Sequence, residues 1–298
     1  MVQYDTRNWL GLLVRLRGTV LPAIAVRVVV VALVGVVVCV LRDRGIADPS
    51  IPGSVHTLVG VALGLLLVFR TNASYDRFWE GRRLIGGIVN QTRNLGRHVG
   101  ALLDASSPAT RRAQGDLLVA LYVVIRRYLR SEREWPELIE RLGPARTDEL
   151  GQVRCPPLRV ARWFVEGVVA EARAGRLTEP RLQLIEGQIA SIIDGLGGCE
   201  RILRTPVPFA YAHHIKGFLT LFCFTVPLAL LGSMGWYTPV ASAVVAYALF
   251  GIDEIGVEIE DPFGYDANDL PLDTIGDNLA IDVDQTVAGS SSDTRAVA

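Results

Sequence analysis

Four apolar runs interrupt a chain that is otherwise charged and amphipathic, at residues 28–41, 55–69, 217–231 and 239–252. The first is 14 residues of valine, alanine, leucine, glycine and cysteine. As a helix it covers only about 21 Å of a hydrocarbon core near 30 Å thick. Beginning instead at Val20 gives about 22 residues, enough to span, and encloses Arg27. A central arginine costs about 2.5 to 3.5 kcal/mol, which the flanking valines and leucines offset, and Arg27 is expected to snorkel to the interface.

The second run follows a Pro/Gly/Ser turn at residues 49–54 and stops at Arg70, so the first two runs form a helical hairpin. The third and fourth flank Gly232-Ser233-Met234-Gly235, with Trp236 and Tyr237 where an aromatic belt sits, and form a second hairpin. All four runs fall short of the usual span of about 20 residues. Helices that tilt little, or that extend through polar residues buried against protein, are implied.

Between the hairpins the pattern changes to a helical period. Leu182, Ile185, Ile189, Ile192 and Leu196 recur at three- and four-residue spacing behind Thr178, an N-cap with Glu179 and Pro180 in the first turn. Comparable patterns run through Leu84, Ile88, Leu95 and Leu102 and through Leu117, Leu121, Val124 and Tyr128, with no strand-like alternation. The fold class predicted is an all-α integral membrane protein. Its parts are an N-terminal segment and first hairpin in residues 1–69, a soluble helical bundle in 70–206, a second hairpin with an acidic segment in 207–281, and a polar, Ser-rich, disordered tail in 282–298. The bundle is rich in arginine while the outer loops offer little beyond Arg42 and Arg44. The positive-inside tendency therefore places the bundle in the cytoplasm, and an even number of spans puts both termini with it.

Composition strengthens the membrane reading, because half the residues are hydrophobic and the mean hydropathy is +0.32. The net charge of −1 gives no global field for nucleic acid. Lys216 is the only lysine, so the arginines read as the usage of a GC-rich genome. Tyr75, Phe78 and Trp79 beside Arg70, Arg77 and Arg82 read as a juxtamembrane helix packing on its neighbours. Cys39, Cys155, Cys199 and Cys223 form no CxxC pair, which argues against a disulfide framework or metal ligation; Cys39 and Cys223 read as small buried hydrophobes. A polar opening at residues 3–8, with no small-residue cleavage site behind the first apolar stretch, argues against a removed signal peptide. His213 and His214 point about 100 degrees apart on a helix and do not readily ligate one ion, so they read as facing the interface.

Residues 253–273 pack carboxylates directly behind the fourth apolar run. Such a cluster is either a helix terminus held at a membrane surface or a site for a cation. Glu254, Glu258 and Asp261 share a helical face that is expected to meet Arg70 or Arg77.

Three stretches carry a family resemblance: Phe69-Arg70-Thr71-Asn72-Ala73-Ser74-Tyr75-Asp76-Arg77-Phe78-Trp79-Glu80; Gly198-Cys199-Glu200-Arg201 with Thr205-Pro206-Val207-Pro208-Phe209-Ala210-Tyr211; and Glu260-Asp261-Pro262-Phe263-Gly264 with its acidic sequel. In order and placement they resemble the bestrophin ion channels, prokaryotic branch, over roughly residues 5–285. The resemblance implies a homopentamer around one central pore, with four membrane-associated helices per subunit and a cytosolic helical vestibule. Its partners would be copies of itself, the lipid membrane and the permeating ions, with no nucleic acid.

The resemblance also assigns roles. Thr57, Val61, Leu65 and Phe69 recur at steps of four and drift only about 40 degrees per step, and in the family this helix lines the neck. Rings of Val61, Leu65 and Phe69 would form a hydrophobic constriction that gates by dewetting. Gly60 and Gly64 on the same helix would let neighbouring helices approach. Only Phe69 supplies an aromatic ring, so chloride or other anions are implied while a cation (sodium)-conducting homologue stays open. Gly175-Arg176-Leu177-Thr178-Glu179-Pro180 resembles the segment that forms a second, cytosolic aperture, with Pro180 where other members place an aliphatic residue. The other reading of Pro180 is a first-turn proline and nothing more. The acidic segment falls where animal members bind calcium, and Asp266, Asn268 and Asp269 are the candidate ligands. Tyr265 and Ala267 replace expected carboxylates, and the alternative is a helix-terminating turn whose carboxylates pair with arginines of a neighbouring subunit. A membrane-bound metalloenzyme is the rival from another class, but it needs a Glu-x-x-His pair that does not occur here. With no phosphate loop or nucleophile signature either, no enzyme activity is expected.

Overall fold

The computed structural model describes residues 7, 8, 10, 11, 15 and 18–288, and among them there is no β-strand. The longer helices are α1 (Leu21–Asp43), α2 (Gly53–Leu102), α3 (Pro108–Leu129), then the short α4 (Ile139–Leu142) and α5 (Pro144–Gln152), followed by α6 (Pro156–Arg173), α7 (Glu179–Arg204), α8 (Phe209–Met234), α9 (Thr238–Glu258) and α10 (Leu272–Ala288). Two compact units divide them, one from residues 1–79 and 205–269, the other from 80–204 and 270–298. The opening residues 3–6 and the tail beyond Ala288, about which the sequence raised expectations, lie outside the described residues.

Among the described residues three stretches are long and apolar enough to cross a membrane: Leu21–Asp43, Gly53–Leu102 and Phe209–Glu258, the last holding both α8 and α9. Prolines occupy the first turns of α1 and α9, where a missing N–H leaves no gap in the hydrogen-bond ladder. Gly235, at φ +49°, ends α8 and feeds a 3-10 turn, Gly235–Tyr237, into α9. The core of this first unit joins Ile24 and Val31 of α1, Leu63 and Leu67 of α2, Leu219 and Cys223 of α8, and Ala246 and Phe250 of α9. Helices α1 and α9 approach so closely at Gly35 that a Cβ there would lie 2.8 Å from the Pro239 Cα.

Two expectations about this unit change. The apolar run of α2 stops at Arg70 but the helix does not; it continues for 50 residues in all, because a switch from apolar to polar side chains breaks no backbone hydrogen bond. Arg27, expected to snorkel, instead donates from Nη1 to Glu254 Oε2 at 2.9 Å, so its charge is met by protein. Both findings explain how short apolar runs become helices of spanning length. At about 1.5 Å per residue the 23 residues of α1 reach roughly 35 Å.

The second unit is built around α3, whose residues 117–125 are all buried. A helix apolar all round belongs in a core. Its C-terminal neighbour α10 corrects the expected tail, since residues 282–288 are helical and docked. Leu272, Gly276, Leu279, Val283 and Val287 line one buried face of α10. Three of its four acids meet arginines: Asp273 with Arg126 and Arg130, Asp282 with Arg93, Asp284 with Arg141. Helices α2 and α10 touch at Gly100, where a Cβ would collide with the Thr286 carbonyl oxygen.

Candidate functional site

Helix α2 has two faces in the first unit. Leu63, Leu67, Arg70 and Ser74 are buried, following the three- and four-residue spacing of an inward stripe. Val61, Leu65 and Phe69 point the other way and are 62%, 57% and 64% exposed. The three residues expected at the neck therefore lie together on a face left exposed by the other described residues. Of the two glycines expected to admit a neighbouring helix, Gly60 lies against the Phe222 ring of the same chain, whereas Gly64 has open space.

Below this face a belt of charge closes the unit. Arg70 and Asp253, each 2% exposed, form a buried ion pair and hydrogen bond, with Glu260 Oε2 3.9 Å from Arg70. Glu260 also accepts from the Val207 backbone N–H at 3.1 Å, and Arg77 donates to the backbone carbonyls of Glu260 and Thr205. The partners differ from the sequence expectation. Glu254 meets Arg27, Glu258 accepts from Asn268, and Asp261 accepts from the Phe263 N–H. The acids that reach Arg70 are Asp253 and Glu260. Asp253 lies in the otherwise apolar α9, and a carboxylate in such a helix is the sequence signal for a buried partner.

In the acidic turn Phe263 is a fully buried anchor. Asp269, also buried, accepts from the Asp266 N–H at 2.7 Å through Oδ2 while its Oδ1 has no hydrogen-bond partner. Burial pushes its carboxyl up to about 6, the Asp266 N–H opposes this, and the charges of Asp266, Asp261 and Glu258 add to the rise. Asn268 donates to the Gly18 carbonyl and to Glu258. Calcium takes about six to eight oxygens. Among the described residues no group of three His, Cys, Asp or Glu is arranged to hold a metal. Two carboxylates and an amide engaged elsewhere do not by themselves fit a calcium ion.

The aperture candidate belongs to the second unit. Gly175, at φ +71°, follows the end of α6, and Pro180 is the second residue of α7, exposed. The approach to it is tethered: Arg176 donates twice to the buried Glu171 at 2.7 and 2.8 Å, Ser106 donates to the same carboxylate, and Leu177 is buried. Arg176 and then Ser106 hold the Glu171 carboxyl down to about 2. Its stabilisation is thus fully present above the ordinary value near 4.5 and is lost as pH falls toward 2. Glu171→Gln is expected to lower stability at pH 7 by on the order of 2 kcal/mol, and by much less near pH 3. Urea unfolding of both proteins at the two pH values checks this, and an equal loss at both would contradict it.

His213 stacks on Phe209 and His214 on Phe218, so the two rings serve different contacts.

Comparison with known proteins identifies the setting of these residues. A family profile described as bacterial/fungal bestrophin protein matches residues 1–285. A voltage-dependent anion channel-forming protein of Nostoc is 42% identical over 282 residues, 93% of this chain and 91% of that protein. The corresponding Synechocystis protein is 37% identical over 284 residues, 94% of this chain and 92% of its own. A crystal structure of a bacterial bestrophin homologue from Klebsiella pneumoniae superposes with a TM-score of 0.82 at 28% identity, covering 89% of this chain and 98% of that one.

Proposed function

The chain belongs to the bacterial and fungal bestrophin family, and on that premise we propose that it is a homopentameric ion channel of the cell membrane, passing chloride or other small anions through a hydrophobic neck. It is a membrane channel protein and not an enzyme. The observation that carries the mechanism is the exposed apolar stripe of Val61, Leu65 and Phe69 on a helix whose opposite face is fully buried. Five such stripes facing a common axis make a constriction that water leaves readily, so that passage requires the neck to widen. The second unit and both termini would lie in the cytoplasm, where its arginines form the vestibule.

A neck with a single aromatic ring favours a second reading, conduction of sodium, because the electropositive ring edges that attract anions are few. Reversal potentials of purified protein in planar bilayers under asymmetric salt separate the two. A shift toward the chloride equilibrium potential supports the anion channel, a shift toward that of sodium replaces it, and a sealed pore overturns both.

Pro180, fixed in the first turn of α7, is proposed to limit large permeating ions more than it controls opening. Pro180→Ala is expected to change the relative permeability of large and small anions and to leave open probability alone; the reverse result assigns gating to this residue.

The acidic turn is proposed to be structural and calcium-independent. Asp266→Ala with Asp269→Ala is expected to weaken thermal stability, by removing the Asp266 N–H to Asp269 bond, without changing a calcium response. Calorimetry that finds tight calcium binding in the parent chain, lost in the double variant, would restore calcium as a regulator.

A further inference from the structure

At the end of the first unit where α1 and α8 finish, a cleft of about 480 Å³ is lined by Arg42, Asp43, Leu231, Gly232 and Trp236 among others. Its depth in the membrane follows from the helices that bound it. The apolar run of α1 ends at Leu41 and that of α8 at Leu231, while Trp236 and Tyr237 are 58% and 79% exposed beside them. Amphipathic rings at the end of apolar helices mark the headgroup level.

The lining combines both signs of charge. Arg42 is oriented by one hydrogen bond, Nη1 to the Leu231 carbonyl at 2.7 Å, and its Nε lies 4.0 Å from Asp48. Its Nη2 keeps its donors, with no hydrogen bond to any described residue. Asp43, the next residue, is exposed and has no ion-pair partner among the described residues. A guanidinium held in place suits a phosphodiester, and planar donors make that contact stronger than a point charge would. The adjacent carboxylate repels a purely anionic headgroup but matches a primary ammonium, which the Trp236 face also attracts.

We propose that this cleft binds the headgroup of an aminophospholipid, with its phosphate on Arg42 and its primary ammonium between Asp43 and Trp236. The proposal goes beyond ion conduction and does not depend on it. Phosphatidylglycerol leaves Asp43 facing an uncompensated phosphate. Phosphatidylcholine presents a quaternary ammonium with no N–H to donate.

Native mass spectrometry of the full chain, equilibrated with equal amounts of phosphatidylethanolamine, phosphatidylglycerol and phosphatidylcholine, tests the idea. Phosphatidylethanolamine is expected to be retained about threefold over each of the others, the size of one partly screened ion pair. Asp43→Asn should abolish that preference, and Arg42→Gln should reduce retention of all three. Asp43 has no ion-pair partner among the described residues, so its variant tests selectivity even if Arg42→Gln fails to fold. Glycerophosphoethanolamine, which has no acyl chains, should not displace the lipid. Equal retention by the parent chain, an unchanged preference in Asp43→Asn, or displacement by the acyl-free compound would each overturn the proposal, the last by making the ligand a soluble phosphoamine.

Discussion

Asp253→Asn is expected to cost the first unit about 3 kcal/mol or more, because it leaves the Arg70 guanidinium buried without its counter-charge. Arg70 and Asp253 are each only 2% exposed, so bulk solvent does little to replace the lost partner. Glu260, 3.9 Å away and itself engaged with the Val207 N–H, is too distant to take over the hydrogen bond. Arg70→Met should be comparably damaging, since it strands the carboxylate instead. The double variant Arg70→Met with Asp253→Leu is expected to recover most of the loss, because apolar side chains of similar volume carry no desolvation penalty. Arg70 Nε and Ser74 Oγ already lack hydrogen-bond partners in this pocket, so the apolar pair gives up little beyond the Asp253 ion pair and the longer contact with Glu260. Thermal midpoints in detergent compare the three variants. If the double variant is as unstable as either single one, the ion pair is not what holds α2 to α9.

Val61→Ala with Leu65→Ala is expected to raise open probability by about tenfold, or ~1.4 kcal/mol distributed over two rings of side chains. The argument rests on exposure. Both side chains point away from the packed core, so truncating them leaves no internal cavity and should leave the fold of the subunit intact. What changes is the width and apolarity of the surface they line. Leu63→Ala and Leu67→Ala, on the buried face of the same helix, serve as controls that destabilise by about 2 to 5 kcal/mol without opening the neck. Single-channel recording of the double variant decides. Unchanged conductance and open probability in an intact assembly would remove these residues from the gate.

Residues next to one another in the chain carried different amounts of information. The four apolar runs, the turn at Gly232 to Gly235 and the amphipathic period of Ile185, Ile189 and Ile192 were legible, because side-chain transfer free energies act locally and repeat with the helical period. The family motifs were legible for the same reason of adjacency. The face of Val61, Leu65 and Phe69 could be drawn from spacing alone, but that it is the exposed face required the packing of Leu63 and Leu67.

Charge was where local reading stopped. Arg27 looked like a residue bound for the interface, and Asp282 and Asp284 looked like the start of a disordered tail. Each instead meets an opposite charge 143 to 227 residues away along the chain. Helix periodicity and hydropathy are properties of neighbouring residues, so the sequence by itself determined the all-helical class, the four apolar segments and the candidate neck stripe. The energy of a charge depends on what lies within a few ångströms of it after folding. Only the tertiary structure could decide that Asp253 serves Arg70, that Glu254 serves Arg27, and that α10 is docked by its acids rather than released by them.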